Sequence, residues 1–178
     1  MRTPWQTLET KTIFDSKFLK VYQDEVRLPN GNIINDYTLV EKPSVVVIVA
    51  IDSHNNLIVL NEYKHGAKEY LNVLPAGHLA KGENSLEAAR RELLEETGYS
   101  GENFSELGVL YDYPSKDVHK VNVVLVKDIK KVTEENHEET ESITYKLVPL
   151  GKVKQQILNK EWKSTSSISA LCISGVLF

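Results

Sequence analysis

The side chains that could do chemistry are concentrated in residues 77–99, which read GHLAKGENSLEAARRELLEETGY. On a helix over residues 84–97, Glu92 and Glu96 are one turn apart and Glu95 lies beside them, so three negative charges fall within about 6 Å of one another. Such crowding costs a few tenths of a kcal/mol per exposed pair, and a divalent cation removes this cost. Carboxylate oxygens suit Mg²⁺ or Mn²⁺, and Mg²⁺ is commonly bound by a few carboxylates together with substrate phosphates and water. The segment therefore predicts a metal site that acts on a phosphorylated substrate.

The same segment carries the signals of a helix with defined ends. Asn84 and Glu87 form a capping-box pair, and Gly98 supplies a left-handed stop. Arg91 lies four residues before Glu95 and can brace it, which leaves the other two glutamates freer to face the metal. The side of the helix expected to pack on a sheet consists of Leu86, Ala89, Leu93 and Thr97.

The spacing of these residues resembles the signature of the Nudix hydrolases. The matching residues are Gly77, Glu83, Arg91, Glu92, Leu93, Glu95, Glu96, Gly98 and Tyr99. The resemblance implies an α/β (α+β) fold, a Nudix-type α/β/α sandwich with a mixed sheet and a catalytic loop-helix-loop element. It also implies metal-dependent hydrolysis of a diphosphate linked to another moiety. By the same resemblance, Arg91 and Glu95 are expected to be catalytic, and the metal is expected at Ala76, Glu92 and Glu96.

Two further features narrow the resemblance. Residues 74–83, LPAGHLAKGE, are similar to a stretch of the ADP-ribose and nucleoside-diphosphate-sugar pyrophosphatases, and Pro114 lies 15 residues after Tyr99, as that subfamily's marker proline does. Pro114 and Lys64 are expected at the substrate. Lys64 stands where these enzymes often carry arginine. The positive charge is kept, but the two parallel N–H donors of a guanidinium are lost. Val73 stands where a glutamate often precedes LPAG, which leaves the number of metals open.

A second acidic cluster, TEENHEETES at residues 133–142, lies between two predicted strands. In the ADP-ribose pyrophosphatases the loop before the last strand carries a glutamate that acts as catalytic base, two positions before another that helps to bind metal. The matching residues are Glu139 as the base and Glu141 as a metal ligand. Because a metal already polarises the diphosphate, the missing part is a carboxylate that orients and deprotonates water. Glu141 and Glu138 remain alternatives for the base.

Recognition of the substrate's nucleobase requires a flat surface on which the nucleobase can stack. Trp5 matches the N-terminal position from which related sugar-nucleotide pyrophosphatases supply an aromatic ring that stacks on the nucleobase; the alternative is a tryptophan that covers a sheet edge. Tyr37 is a second candidate, although a tyrosine in an alternating strand usually serves packing. In these relatives the N-terminal strands cross to the partner subunit, which implies a homodimer with a shared site.

The chain divides into two parts by pattern. Residues 1–42 alternate apolar and polar positions around a Pro-Asn-Gly-Asn turn at 29–32, which predicts an antiparallel β-meander used for dimerisation. Residues 43–178 form the expected Nudix catalytic domain. Its run SVVVIVAI at 44–51 predicts a central strand buried on both faces. Further strands are expected at LIVLNEY, before Leu74, and at FSELGVL, KVNVVLV and ITYKLV, with final helices from Leu150 to about Asn159 and from about Ser166 to Leu177.

Length and composition limit the number of domains, the kinds of partner and the location to be expected. With 178 residues, 41% hydrophobic, the chain suits one well-cored domain with a small extension, and a net charge of −4 disfavours duplex nucleic acid as a partner. No apolar run reaches the roughly 18 residues of a membrane span, and residues 1–10 lack a signal peptide's apolar core, so we expect a cytoplasmic protein without membrane contact. The single cysteine, Cys172, is expected to be a buried thiol. Four scattered histidines lack zinc-ligand spacing and are expected on the surface or in loops; they are His65, His78, His119 and His137.

The leading hypothesis is Mg²⁺-dependent hydrolysis of ADP-ribose or another nucleoside diphosphate sugar to a nucleoside monophosphate and a sugar phosphate, with Mn²⁺ as a substitute metal. A different Nudix specificity, for nucleoside triphosphates, dinucleoside polyphosphates or capped RNA, is the second hypothesis. The third is a non-catalytic sugar-nucleotide sensor, against which the intact run of carboxylates argues.

Overall fold

Two sheets organise residues 3–136 and 143–178, the parts of the chain that the computed structural model describes. The chain forms two compact units. The first contains the residues up to Pro43 together with Tyr111–Lys120, and the second contains Ser44–Leu110 and the chain from Val121 to Phe178. A mixed sheet, an antiparallel sheet and helices confirm the predicted fold class.

The first unit is built on a three-stranded antiparallel meander. Its strands are β1 (Gln6–Asp15), β2 (Lys20–Arg27) and β3 (Ile33–Glu41), in that spatial order. The turn between β2 and β3 places Gly31 at φ +88°, a conformation that favours glycine, so the predicted hairpin is confirmed. Every residue of β1 except Leu8 is exposed.

The segment Tyr111–Lys120 lies along β3 within this unit. The Val40 amide donates to the Lys116 carbonyl at 2.8 Å, and the Val118 amide donates to the Val40 carbonyl at 2.9 Å. His119 lies in a loop, as expected, and is buried, with 6% of its surface exposed. Its ring nitrogens are 3.6 and 3.7 Å from carboxylate oxygens of Asp112 and Asp117, respectively. Both aspartates belong to the same segment as His119, so this segment folds back on itself around the ring.

The second unit contains the remaining elements. In chain order they are β4 (Val45–Asp52), β5 (Asn56–Lys64), β6 (Glu69–Val73), β7 (Ala76–His78), α1 (Ser85–Thr97), β8 (Tyr99–Ser100), β9 (Phe104–Leu110), β10 (Val121–Lys131), β11 (Ile143–Pro149), α2 (Leu150–Leu158) and α3 (Thr165–Ile173). The main path of the sheet is β11-β5-β4-β10-β8, with β6 on β5, β7 on β4 and β9 on β10. Strands β4 and β10 are parallel and the other pairs are antiparallel, so the sheet is mixed. No helix of the described part is long and apolar enough to cross a membrane.

Strand β4 is the centre of this sheet because its side chains are buried on both faces. Val46, Ile48 and Ala50 belong to one core cluster, which also contains Ala88, Ala89 and Leu93 of α1. The alternate residues Val47, Val49 and Ile51 belong to a second cluster with Val153 of α2 and Leu171 of α3. Since successive side chains of a strand point to opposite faces, one apolar run supports helices on both sides. This arrangement is the predicted α/β/α sandwich.

The C-terminal helix differs from the prediction in two respects. It ends at Ile173 rather than near Leu177, because Gly175 adopts φ +69° and interrupts the helical backbone. Cys172 is exposed, so the prediction of a buried thiol is wrong. The buried residues of α3 are Ser167, Ala170 and Leu171, and a step of about 100° beyond Leu171 turns Cys172 away from the core.

Candidate functional site

The helix α1 begins and ends where its sequence signals place it. The Asn84 side chain accepts hydrogen bonds from the amides of Leu86 and Glu87 at 3.0 Å, and the Asn84 amide donates to the Glu87 carboxylate at 3.0 Å. Gly98 closes the helix at φ +70°, with its amide donating to the Leu94 carbonyl. The predicted capping box and left-handed stop are confirmed, so the positions of the glutamates along the helix are fixed.

Two glutamates of α1 contact the short strand β7. Glu96 is 5% exposed, and its Oε2 accepts a hydrogen bond from the Ala76 amide at 3.1 Å. Glu92 lies against Gly77 so closely that a Cβ on that glycine would be 2.0 Å from the Glu92 carboxyl carbon. Position 77 must therefore be glycine, which has no side chain, for the Glu92 carboxylate to lie there.

Arg91 organises the carboxylates around it. Its Nε and Nη2 donate to the two oxygens of Glu83 at 2.9 Å each, and Nη2 also donates to the His78 carbonyl at 3.0 Å. Its Nη1 donates to Glu92 at 2.7 Å and to Glu95 at 3.1 Å. These bonds use the full fork of a guanidinium. The expectation that Arg91 braces Glu95 is met, but Arg91 also holds Glu92 rather than leaving it apart.

Glu83 is the partner whose role the sequence pattern did not reveal. It precedes α1, and its Oε2 also accepts a hydrogen bond from the Ala80 amide at 2.8 Å. The bond from Arg91 is the main reason that the pKa of Glu83 is lowered, and the Ala80 amide adds to this effect. The same glutamate raises the pKa of Arg91 above its already high value. A lowered carboxyl pKa means that this stabilisation is present at neutral pH and is lost as the pH falls through the folded-state pKa.

The donor set of this cluster fits a hard divalent cation. A carboxylate as buried as Glu96 requires hydrogen bonds or a cation to offset its lost hydration. Within residues 3–136 and 143–178, however, no three acidic, histidine or cysteine side chains converge closely enough to hold a metal by themselves. A cation bound by Glu92 and Glu96 therefore needs further oxygens, as Mg²⁺ obtains from substrate phosphates, water or backbone carbonyls. The predicted ligand Glu141 is a further source.

The predicted base lies outside the described residues. Glu139 and its alternatives Glu138 and Glu141, together with His137, fall in the segment 137–142. Their roles stay predictions.

Lys64 and Val73 lie on neighbouring strands of the second unit. Lys64 ends β5, and its ammonium forms an ion pair with Glu62 of the same strand; its side chain is 47% exposed. Val73 ends β6 and is buried in the core cluster beneath α1, so a carboxylate at this position would enter an apolar environment. The substitution of the often-seen glutamate by valine is thus accommodated by the core.

The other three predicted substrate residues lie in the first unit. The rings of Trp5 and Tyr37 meet edge to face at 5.6 Å, and Trp5 is 50% exposed. Tyr37 is more engaged, because its hydroxyl donates to the Ser115 carbonyl at 2.6 Å and the Lys116 ammonium lies 4.1 Å from its ring centre. Pro114 lines a groove of about 490 Å³ whose other walls are Leu39, Tyr111, Asp117, Val118 and Lys120.

Comparison with known proteins agrees with this geometry. Residues 41–169 match the family model described as the NUDIX domain, and residues 5–40 match the nucleoside diphosphate sugar hydrolase N-terminal domain. The methanol dehydrogenase activator of Bacillus methanolicus is 31% identical over 71% of this chain and 68% of its own length. The ADP-ribose pyrophosphatase of Bacillus subtilis (strain 168) is 30% identical over 75% of this chain and 71% of its own length.

A solved structure described as that of an ADP compounds hydrolase matches with a TM-score of 0.82 at 26% identity, covering 98% of this chain and 94% of the other. The NUDIX match spans well over half of the chain and includes Arg91 and the glutamates that it binds. Hydrolases with this domain generally use a divalent metal ion, which agrees with the carboxylates of α1. The chain belongs to the Nudix hydrolase family.

Proposed function

We propose that this Nudix hydrolase cleaves the diphosphate of ADP-ribose or another nucleoside diphosphate sugar in the presence of Mg²⁺. The observation that carries the proposal is that a Nudix helix with its carboxylates in place occurs in one chain with a domain similar to the N-terminal domain of nucleoside diphosphate sugar hydrolases. Relatives named ADP-ribose pyrophosphatase support the choice of substrate. The products would be a nucleoside monophosphate and a sugar phosphate.

Each group of the site has a defined task in this proposal. Glu92 and Glu96, with Glu141 and the backbone at Ala76, would hold the cation, which when bound offsets diphosphate charge and lowers the pKa of a bound water. Arg91 holds Glu92 and Glu95 in place through hydrogen bonds. Glu139 takes the proton of the water whose oxygen attacks phosphorus, and the bridging P–O bond breaks.

We predict turnover of ADP-ribose or another nucleotide sugar by the wild-type protein with Mg²⁺. The Glu92→Gln and Glu96→Gln variants should each lose nearly all turnover, because both changes keep the shape but remove a charge needed for the metal. Raised Mn²⁺ should restore part of the rate. The assay is product release across a panel of nucleotide sugars, nucleoside triphosphates, dinucleoside polyphosphates and capped RNA.

The exposed Glu102 provides a matched control for these variants, since Glu102→Gln removes the same charge away from Arg91 and β7. Wild-type rates from Glu92→Gln or Glu96→Gln at ordinary Mg²⁺ would contradict the metal assignment. Preference for a substrate other than a nucleotide sugar would contradict the proposed specificity, and no turnover of any panel member would favour a sensor.

The role of Glu139 as catalytic base can be tested separately from the roles of the metal ligands. A general base typically contributes about 10²–10⁴-fold, so Glu139→Gln should lower kcat by roughly two to four orders of magnitude with metal and substrate binding close to wild type. Single-turnover rates and Mg²⁺ calorimetry measure the two effects. Glu134→Gln is the control, because the Glu134 side chain is 91% exposed. If Glu139→Gln instead loses metal affinity, and Glu141→Gln retains it, the two roles have been exchanged.

Of the two aromatic candidates, Trp5 is better placed than Tyr37 to stack on the nucleobase of the substrate. Half of its surface is exposed, whereas the Tyr37 ring is already occupied by Trp5 and Lys116. Stacking is worth about 1–3 kcal/mol per base, so Trp5→Ala should raise KM roughly 5- to 150-fold with a smaller effect on kcat. Phe18→Ala, which removes another exposed ring of the same unit, should leave KM unchanged. An unchanged KM in Trp5→Ala would assign Trp5 to packing.

The first unit is proposed to form a homodimer through its outer strand. Strand β1 is a ten-residue edge of the three-stranded sheet, and it leaves Ile13 and Phe14 half exposed. A long exposed edge offers backbone groups and apolar surface to a second copy. Light scattering should give a dimer at micromolar concentration that Phe14→Glu weakens, while Leu158→Glu on α2 leaves it intact. A wild-type monomer with full activity would refute the proposal.

A further inference from the structure

His119 is a buried histidine of the first unit, and both of its ring nitrogens face carboxylates. The Nε2 atom lies 3.6 Å from Oδ2 of Asp112, and the Nδ1 atom lies 3.7 Å from Oδ2 of Asp117. Only 6% of the His119 side chain is exposed. Among the residues that the structure describes, Nδ1 of His119 is a buried nitrogen without a hydrogen-bond partner. A buried polar atom in this state is uncommon in proteins and calls for an explanation.

The chemistry of the imidazole ring accounts for this arrangement. A neutral imidazole has one N–H donor and one nitrogen that accepts, whereas an ionised carboxylate only accepts. In either neutral tautomer, one ring nitrogen of His119 therefore turns a lone pair towards a carboxylate, and no hydrogen bond can form on that side. The imidazolium has an N–H on both nitrogens and can donate to both aspartates. The surroundings of His119 thus match its protonated form on both sides of the ring.

The balance of charge around the ring leads to the same conclusion. The ammonium of Lys42, which follows β3, lies 2.6 Å from Oδ2 of Asp117, so one of the two carboxylates already has a cation. With a neutral His119 ring, two carboxylates and one ammonium leave one negative charge uncompensated. A second proton on the ring balances this charge. The pairing gains from low exposure, since the Asp117 side chain is 15% exposed.

The other charged side chains of β3 and of the segment that contains His119 have different surroundings. Glu41 of β3 is exposed and stands opposite Lys20 of β2 in the sheet. The Lys116 ammonium lies 4.1 Å from the centre of the Tyr37 ring. Lys120 lines the groove of this unit. The charge that a protonated ring meets is therefore set by its two aspartates and by the lysine bound to one of them.

The two aspartates stand on opposite sides of a turn. The amides of Lys116 and Asp117 donate to the Tyr113 carbonyl at 2.9 and 2.7 Å, so the chain turns between Asp112 and Asp117, and Pro114 lies inside this turn. A side chain that binds both aspartates therefore joins the two ends of the turn.

Strand β3 holds the second half of the turn. It does so through the backbone bonds of Val40 and through the Tyr37 hydroxyl, which donates to the Ser115 carbonyl at 2.6 Å. Asp112 precedes the turn and meets this second half at the His119 ring. Hydrogen bonds need donor–acceptor distances of about 2.7–3.2 Å, so a protonated ring should draw the two carboxylates closer by roughly 0.5–1 Å.

We propose that His119 is a positioning residue for substrate binding: when its ring takes up a second proton, it binds Asp112 and Asp117 together and closes the turn that carries Pro114. Pro114 and Asp117 line the same groove, so closing the turn fixes this wall of the groove. The inference rests on the proposed contact of Pro114 with the substrate, whereas His119 itself need not touch the nucleotide sugar. The His119 bridge, meaning the contacts of the ring with both aspartates, is present where the ring is protonated and is lost as the pH rises.

Nitrogen NMR of histidine-labelled wild-type protein tests the bridge without using activity. Histidine is the side chain that changes charge between about pH 5 and pH 8, so spectra are compared at about pH 6 and about pH 8.5. Both ring nitrogens of His119 should show the chemical shifts of a protonated imidazole at the lower pH, and one should lose its proton at the higher pH. The signals are identified by their absence from His119→Gln. Ring shifts that do not change between the two pH values would overturn the proposal.

Amide hydrogen exchange tests whether the proton closes the turn. The amides of Lys116, Asp117 and Val118 should exchange more slowly in wild type than in His119→Gln at about pH 6, and this ratio should be smaller at about pH 8.5. Comparison of two proteins at the same pH removes the pH dependence of exchange itself. His54→Gln is the matched control and should exchange as wild type, because His54 is an exposed histidine in the turn between β4 and β5. An equal ratio at both pH values would show that His119 serves packing alone and would overturn the proposal.

Kinetics measure the effect of the bridge on the substrate. With ADP-ribose and saturating Mg²⁺, KM of His119→Gln should exceed that of wild type roughly three- to tenfold at about pH 6 and less than about twofold at about pH 8.5, because hydrogen bonds to a charged partner are lost. Asp112→Asn should behave in the same way, and His54→Gln should keep the wild-type KM. The values of kcat should agree between wild type and variants at each pH. A KM ratio that is the same at both pH values would overturn the role in substrate binding.

The spectroscopic and kinetic results separate this inference from the proposed function. If no nucleotide sugar is hydrolysed, the proposed function fails, and the ring spectra and exchange rates alone decide whether the His119 bridge exists. If the ring titrates and exchange responds as expected but KM does not, the bridge exists and the assignment of this turn to substrate binding is overturned.

Discussion

Electrostatic repulsion among neighbouring glutamates is the constraint on which the site depends, and one guanidinium resolves it. Glu92 and Glu95 lie on one helix, and Glu83 precedes it; without a shared cation their charges would repel one another. Arg91 binds all three and also binds the His78 carbonyl of β7. Lysine could not do this, because a single ammonium offers three donors from one point rather than five from a planar fork. The helix, the preceding turn and β7 are therefore joined through one side chain.

The position of that network follows from the central strand. Strand β4 pairs with β7, opposing Val46 to Gly77 and Val47 to Ala76. The same strand packs against Ala88, Ala89 and Leu93 of α1 through its alternate side chains. Both partners of the contacts Glu96–Ala76 and Glu92–Gly77 are thus located by β4. Small residues on the buried side of α1 let the helix lie close enough to the sheet for the carboxylates to reach β7.

Local sequence signals correctly predicted those features that depend on residues close together in the chain. The capping box at Asn84, the stop at Gly98 and the buried run of β4 act over a few residues, and each was predicted correctly. Contacts between residues farther apart in the chain were not predictable in this way. Glu83 lies eight residues from Arg91, and the burial of His119 depends on how its segment folds back on itself. Exposure on a short helix was also misjudged, since Cys172 has apolar neighbours in sequence but lies off the buried face of α3.

The two halves of the proposed chemistry are supported in different ways, and this difference has a physical reason. The proposed metal ligands Glu92 and Glu96 lie on a helix packed on a sheet, where side-chain positions are fixed by the core. The proposed base, Glu139, lies outside the described residues, on the connection between β10 and β11. Of the described residues beside this connection, Lys131 donates to the Thr97 carbonyl and the Tyr145 hydroxyl, and the Asn136 amide donates to the Glu95 carbonyl. The described residues next to the proposed base are therefore bonded to the helix that carries the proposed metal ligands.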